Sequence, residues 1–150
     1  MKNVFEKETV NELTSRIEKL NPAQTPNWGK MNAPQMLAHC SVPYSMIMDD
    51  NIPKAKGIKK LLMKWVVKPV VTGPKPYKKN NRTAPEFIIN DERDFEKEKS
   101  ILINHIKKTQ SLGLDFFIAR ENPNFGKLTK LEWNTLFYKH LDHHLNQFGV

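Results

Sequence analysis

An all-α fold is what this sequence predicts, in the form of a four-helix bundle with at least one long crossover connection. Three observations carry the prediction. Four segments repeat apolar residues at the 3.6-residue period of a helix. Two of them open on N-terminal capping signatures, one at Asn32 and one at Thr129. Strand-like alternation is scarce, and the connections are longer than an idealised up-and-down bundle needs.

The first helix is expected from about Glu8 to Leu20. Val10, Leu13, Ile17 and Leu20 share one face, and Asn21-Pro22 ends it. The second begins at Asn32, with Pro34 tolerated in the first turn, Gln35 completing a capping box, and Met31 and Met36 placed for a hydrophobic staple. Met36, Cys40, Tyr44 and Ile47 make its apolar stripe, and His39 lies beside that stripe. Pro43 removes one backbone donor and is expected to bend the helix, and Asp49-Asp50 leads out of it. The third is expected from near Asp91 to about Ser111, stopped by Gly113. Phe95, Leu102 and Ile106 are its core positions, helped by Ile101 or Ile103. The fourth starts at the capping box Thr129-Lys130-Leu131-Glu132, with Leu128 and Trp133 as the staple, and ends at Gly149.

Between the second and third helices, Ile58, Leu61, Leu62, Trp65 and Val66 form an apolar stripe bordered by Lys59, Lys60, Lys64 and Lys68. This reads as a short basic amphipathic helix. VVTGPKPYKKNNRTAP follows as a loop, and ENPNFG is a turn-rich connection before the last helix.

A length of 150 residues suggests one domain, residues 1–150, large enough to bury a core without cross-links. Cys40 is the sole cysteine, so no disulfide forms within the chain, and a reducing, cytoplasmic setting is the simplest expectation. MKNVFEKETVNEL has no apolar stretch suited to a signal peptide, and no apolar run approaches the ~20 residues of a spanning helix. The net charge of +8 is concentrated: Asn51 to Pro85 holds ten Lys or Arg and no Asp or Glu, while the rest holds 14 basic against 16 acidic residues. That pattern disfavours nucleic acid, which prefers a basic face built by the whole fold. The basic segment 54–82 has two readings: lysine stems covering the bundle, the commoner case, or a rim that draws an anionic ligand or surface.

Three of the five histidines fall in YKHLDHHLNQFG. Trp133, Phe137, His140 and His144 lie within about 60° of one another on a helical wheel, with Gln147 close to the arc. His140 and His144, one turn apart, can offer two nitrogen ligands to one metal ion. A third ligand must come from another element. His39 is favoured because Met36, Cys40 and Tyr44 mark its side as buried, and His105, between Asn104 and Lys107, is the competitor. Three neutral imidazoles suit Zn, Ni, Fe or Cu and leave a coordination position open. His143, Tyr44, Trp133 and Gln147 are candidates for the surrounding pocket. The plainer alternative is a set of buried histidines, each satisfied by one hydrogen bond. His39 and Cys40 point about 100° apart, which disfavours a Cys–His nucleophile. No phosphate loop, serine-hydrolase elbow or separate general base can be assigned.

WGKMNAPQMLAHC, from Trp28 to Cys40, resembles the opening motif of the DinB-like superfamily, closest to a branch known as a domain of unknown function. FGKLTKLEWNTLFYKHLDHHLNQFGV, from Phe125 to Val150, resembles that branch's closing motif. Together they cover about a quarter of the chain, in the right order. The resemblance implies a four-helix bundle with a crossover connection, often dimeric. It also implies a divalent metal, Zn or Ni ahead of Fe or Cu, held by His39, His140 and His144. Superfamily members include thiol-dependent transferases, which join a low-molecular-weight thiol to an electrophile, and a related isomerase. Others are stress- or damage-induced proteins. One departure is Asn122-Pro123, where the branch often has His-Pro. The resulting expectation is a metal-dependent enzyme, with a non-enzymatic metal-binding stress protein and a basic peripheral module on lipid or nucleic acid as alternatives.

Overall fold

The computed structural model describes residues 1–49 and 56–150. Asp50 and Lys54, named above, lie outside the described residues, as does the side chain of Lys59. The described residues are helical, with loops and one isolated bridge pair, Asn122 with Gly126, and no strand. The elements are α1 (Lys7–Glu18), α2 (Ala33–Met48), α3 (Gly57–Leu62), a π-helical turn (Met63–Val67) leading into α4 (Lys68–Thr72), a 3-10 turn (Pro85–Phe87), α5 (Phe95–Ile118) and α6 (Lys130–Gln147).

Local chemistry sets the ends of α2 and α6. The Asn32 side chain accepts from the Gln35 backbone N–H at 2.9 Å, and Gln35 Oε1 accepts from Asn32 N–H at 3.1 Å. Thr129 and Glu132 repeat the arrangement at the start of α6, where Leu128 and Trp133 are both buried. At the other end of α6, Gly149 has φ +75° and its N–H donates to Asn146 O, while Val150 N–H donates to Leu145 O. These two bonds make a Schellman cap, which only a left-handed residue can close without strain. α2 runs through Pro43 to Met48.

Gly113 corrects the sequence expectation. It does not stop α5; it interrupts it at φ 71°, ψ 166°, and helix resumes to Ile118. The reason lies beyond the break, where Phe117 is fully buried, 5.5 Å from the Trp133 ring and 5.3 Å from the Phe137 ring. Burying such a side chain is worth about 1.5–3 kcal/mol, enough to outweigh one interrupted turn. α5 also starts at Phe95, capped by the Asp94 carboxylate on Lys97 N–H at 2.7 Å, and not at Asp91. Ile103 is buried with Phe95, Leu102 and Ile106, and Ile101 is half-buried.

The core is continuous across the long helices. α2 packs on α5 and α6, α1 on α5 and α6, and α5 on α6. Tyr44, Phe137 and Trp133 stack in sequence, at 4.8 Å and 5.8 Å between ring centres.

The segment α3–α4 is the second correction. Its predicted apolar stripe does not cover the bundle: Ile58 is 79% exposed, Trp65 71%, and Leu61, Leu62 and Val66 more than half. The inward residues are Met63, Val67 and Val71, spaced by four. This helix therefore has two apolar faces, and only one can meet the protein. Polar ties select which one. Lys68 pairs with Glu132 at 2.9 Å, and Lys139 Nζ donates to the carbonyls of Val70, Gly73 and Lys75. Lys139 is buried by these carbonyls. Val70 to Thr72, expected in a loop, close α4 instead.

Candidate metal centre

α2 carries His39 to the face of α6 that bears His140 and His144. Each of the three offers a ring nitrogen within 4.8 Å of the other two. His39 Nε2 is 3.0 Å from His140 Nε2, and the ring centres are 4.5–4.9 Å apart. His39 and His144 are buried, and His140 retains intermediate exposure.

Two outer contacts fix which nitrogen faces the cluster. His39 Nδ1 lies 2.8 Å from the Phe87 carbonyl, which can only accept, so Nδ1 carries the proton and Nε2 presents its lone pair. The Gln147 amide is oriented by the Trp28 carbonyl, which accepts from its Nε2. Its Oε1 therefore faces His144 Nδ1, 2.7 Å away, and the imidazole must donate. That leaves His144 Nε2 as the free nitrogen. His140 Nε2 and His39 Nε2 cannot both hold lone pairs at 3.0 Å; a shared proton or a cation must lie between them.

Electrostatics favours the neutral state. Burial, reinforced by the neighbouring imidazoles, holds His140 well below the usual histidine value and lowers His144 to about 3. Burial lowers His39 as well, against the Phe87 carbonyl, which raises it. Neutral imidazoles are the ligand form for a transition metal.

The cluster opens on a cleft of about 880 Å³. Met63, Val67 and Val71 form the wall opposite the histidines, and Lys30, Lys78 and Arg82 bring cationic groups to it. Among the described residues no Asp or Glu lines it.

The other sequence candidates divide. His143 lines the cleft, with its ring 5.4 Å from Tyr77 and 5.7 Å from Trp28. Gln147 holds His144, as described. Tyr44 is buried between Phe137 and His105, and Trp133 is enclosed by Phe117 and Phe137; neither lines the cleft. His105, stacked on Tyr44 at 5.8 Å, lies outside the cluster, so the third imidazole beside His140 and His144 comes from α2 and not from α5. Cys40 is fully buried, with Sγ 3.6 Å from Met36 Sδ, and burial pushes its thiol up. Sequence reasoning missed the carbonyls of Phe87 and Trp28, because backbone atoms leave no residue-type signal. Gly29 was the available hint. At φ +87° it sits where a Cβ would run into the Gln147 amide.

No curated protein and no solved structure matches the chain. A family model described as a protein of unknown function (DUF1569) matches residues 3–149, and the chain belongs to that family.

Proposed function

We propose that the protein is a metal-dependent enzyme in which His39, His140 and His144 hold one divalent transition metal, Zn or Ni ahead of Fe or Cu. The observation that carries this reading is the convergence of three uncharged ring nitrogens within 4.8 Å. The donor set fits: nitrogen ligands suit these metals, and the hydrogen bonds to Phe87 and Gln147 resemble the outer partners that orient metal-binding imidazoles. With three protein ligands, a bound ion keeps an open position and supplies Lewis acidity to a thiol or water that reaches it.

The remaining roles belong to the cleft. Lys30, Lys78 and Arg82 attract an anionic group, and the Met63, Val67 and Val71 wall receives an apolar one and excludes water from it. The motifs at Trp28–Cys40 and Phe125–Val150 support a finer reading: a DinB-like four-helix bundle with a long crossover, acting as a thiol-dependent transferase on an electrophilic small molecule. His143 is the titratable group in the cleft closest to that chemistry, and no general base is assigned. The lack of a carboxylate among the described lining residues favours a second reading, a metal-binding protein without turnover.

Elemental analysis of the purified protein beside His140→Ala tests the site. About one metal ion per chain, lost in the variant, is expected; equal content in the two ends both readings. Turnover of an electrophile across a panel of low-molecular-weight thiols then separates enzyme from binder.

A further inference from the structure

The outer face of α3–α4 stands apart from the histidine cluster. Ile58, Leu61, Leu62 and Trp65 are all more than half exposed on one short stretch and line no part of the cleft, although the helix's other face, where Val66 joins the cleft lining, is already packed on the protein. A helix apolar on both sides has something against both sides. The charge around the stripe says what. Lys56, Lys60 and Lys64 are exposed, and residues 56–85 contain no Asp or Glu. A second copy docking through this face would set lysine against lysine, because a two-fold contact repeats the same patch on both partners. An anionic surface meets both features, apolar residues entering it and lysines neutralising its charge. Trp65 adds the ring that favours the boundary between headgroup and chain. No helix among the described residues is long and apolar enough to cross a membrane, so the contact lies along the surface.

We propose that α3–α4 is an interfacial docking helix for an anionic lipid bilayer. The apolar stripe sinks to the headgroup–chain boundary, and Lys56, Lys60 and Lys64 contact acidic headgroups. Lys68 is committed to Glu132 and Lys139 to the α4 carbonyls, so these two hold the helix to the body of the protein. The inner residues Met63, Val67 and Val71 line the cleft, so the docked surface is the other side of the same helical segment. This inference does not depend on a metal.

The test is co-sedimentation of the full chain with vesicles of phosphatidylcholine, with and without about a third of phosphatidylglycerol. Binding to the anionic vesicles alone, weakening with salt, is expected. The double variant Leu61→Ser/Trp65→Ser removes exposed side chains and should lower partitioning by about two orders of magnitude. Lys60→Gln/Lys64→Gln, which leaves the apolar stripe intact, should lower it about fivefold per charge. Failure of the wild-type chain to bind anionic vesicles overturns the proposal, as does binding that both variants retain in full. A wild-type dimer in sedimentation velocity that Leu61→Ser/Trp65→Ser dissociates also overturns it, because the face would then be a self-contact.

Discussion

The two walls of the cleft are built to opposite rules. On the α2–α6 wall, His39 and His144 each have an outer nitrogen engaged by a partner, and behind them lies the stacked series Tyr44, Phe137 and Trp133. On the α3–α4 wall, a thin inner row of Met63, Val67 and Val71 and a few lysine ties hold a helix whose outer half faces solvent. The difference teaches where this chain needs fixed geometry. Buried imidazoles are tolerated only when their hydrogen-bonding groups are satisfied. The apolar row itself has no such requirement; the α3–α4 wall is fixed instead by the carbonyls that satisfy the buried Lys139 ammonium.

The contrast breaks most visibly at its base. Phe137→Ala removes a 1%-exposed ring from behind the histidines and should cost about 3–5 kcal/mol, read by urea denaturation. A loss near 1 kcal/mol would show that the wall is not rigidly packed.

Acid probes the same wall through charge. The folded chain holds His144 at about 3, whereas an unfolded histidine titrates near 6.5. The unfolded state therefore takes up a proton first. Stability is complete above about pH 6.5 and falls as the pH drops below it, by about 2 kcal/mol at pH 5 from His144 alone. His140 and His39, also lowered, act in the same direction. Thermal unfolding of the metal-free protein between pH 7.5 and 5 checks this, and a flat profile would mean that the histidines are not held neutral.

Gln147→Leu sharpens the comparison further. It keeps the side chain's bulk but removes the acceptor that orients His144 and the donor to Trp28. Metal affinity should fall about 10–100-fold by competition with a chelator. The smallest effect belongs to the opposite wall. Leu61→Ala, at a 57%-exposed position, should change stability by no more than about 0.5 kcal/mol.

Local interactions made much of this legible in advance. The capping boxes at Asn32 and Thr129 and the stop at Gly149 are written in neighbouring residues, and the helix ends obey them. The inward arc of α6 follows from spacing alone, which is why His140 and His144 could be picked out before His39 had a position. Gly113 was misjudged because a glycine break and a glycine stop look alike until Phe117, beyond it, finds a core to enter. Trp133 and Tyr44 share their arcs with site residues, yet their rings are taken up by other aromatics.

Sequence by itself determined that four long helices form, the caps at Asn32, Thr129 and Gly149, the pairing of His140 with His144 and the concentration of positive charge between Asn51 and Pro85. The tertiary structure brought His39, which the sequence favoured over His105, beside that pair, and it alone decided that the Phe87 and Trp28 carbonyls lock the arrangement and that the stripe of α3–α4 faces outward. The division has one physical reason. Periodicity and capping act within a few residues, whereas a shared site, a backbone acceptor and the choice between two apolar faces depend on what distant segments bring alongside.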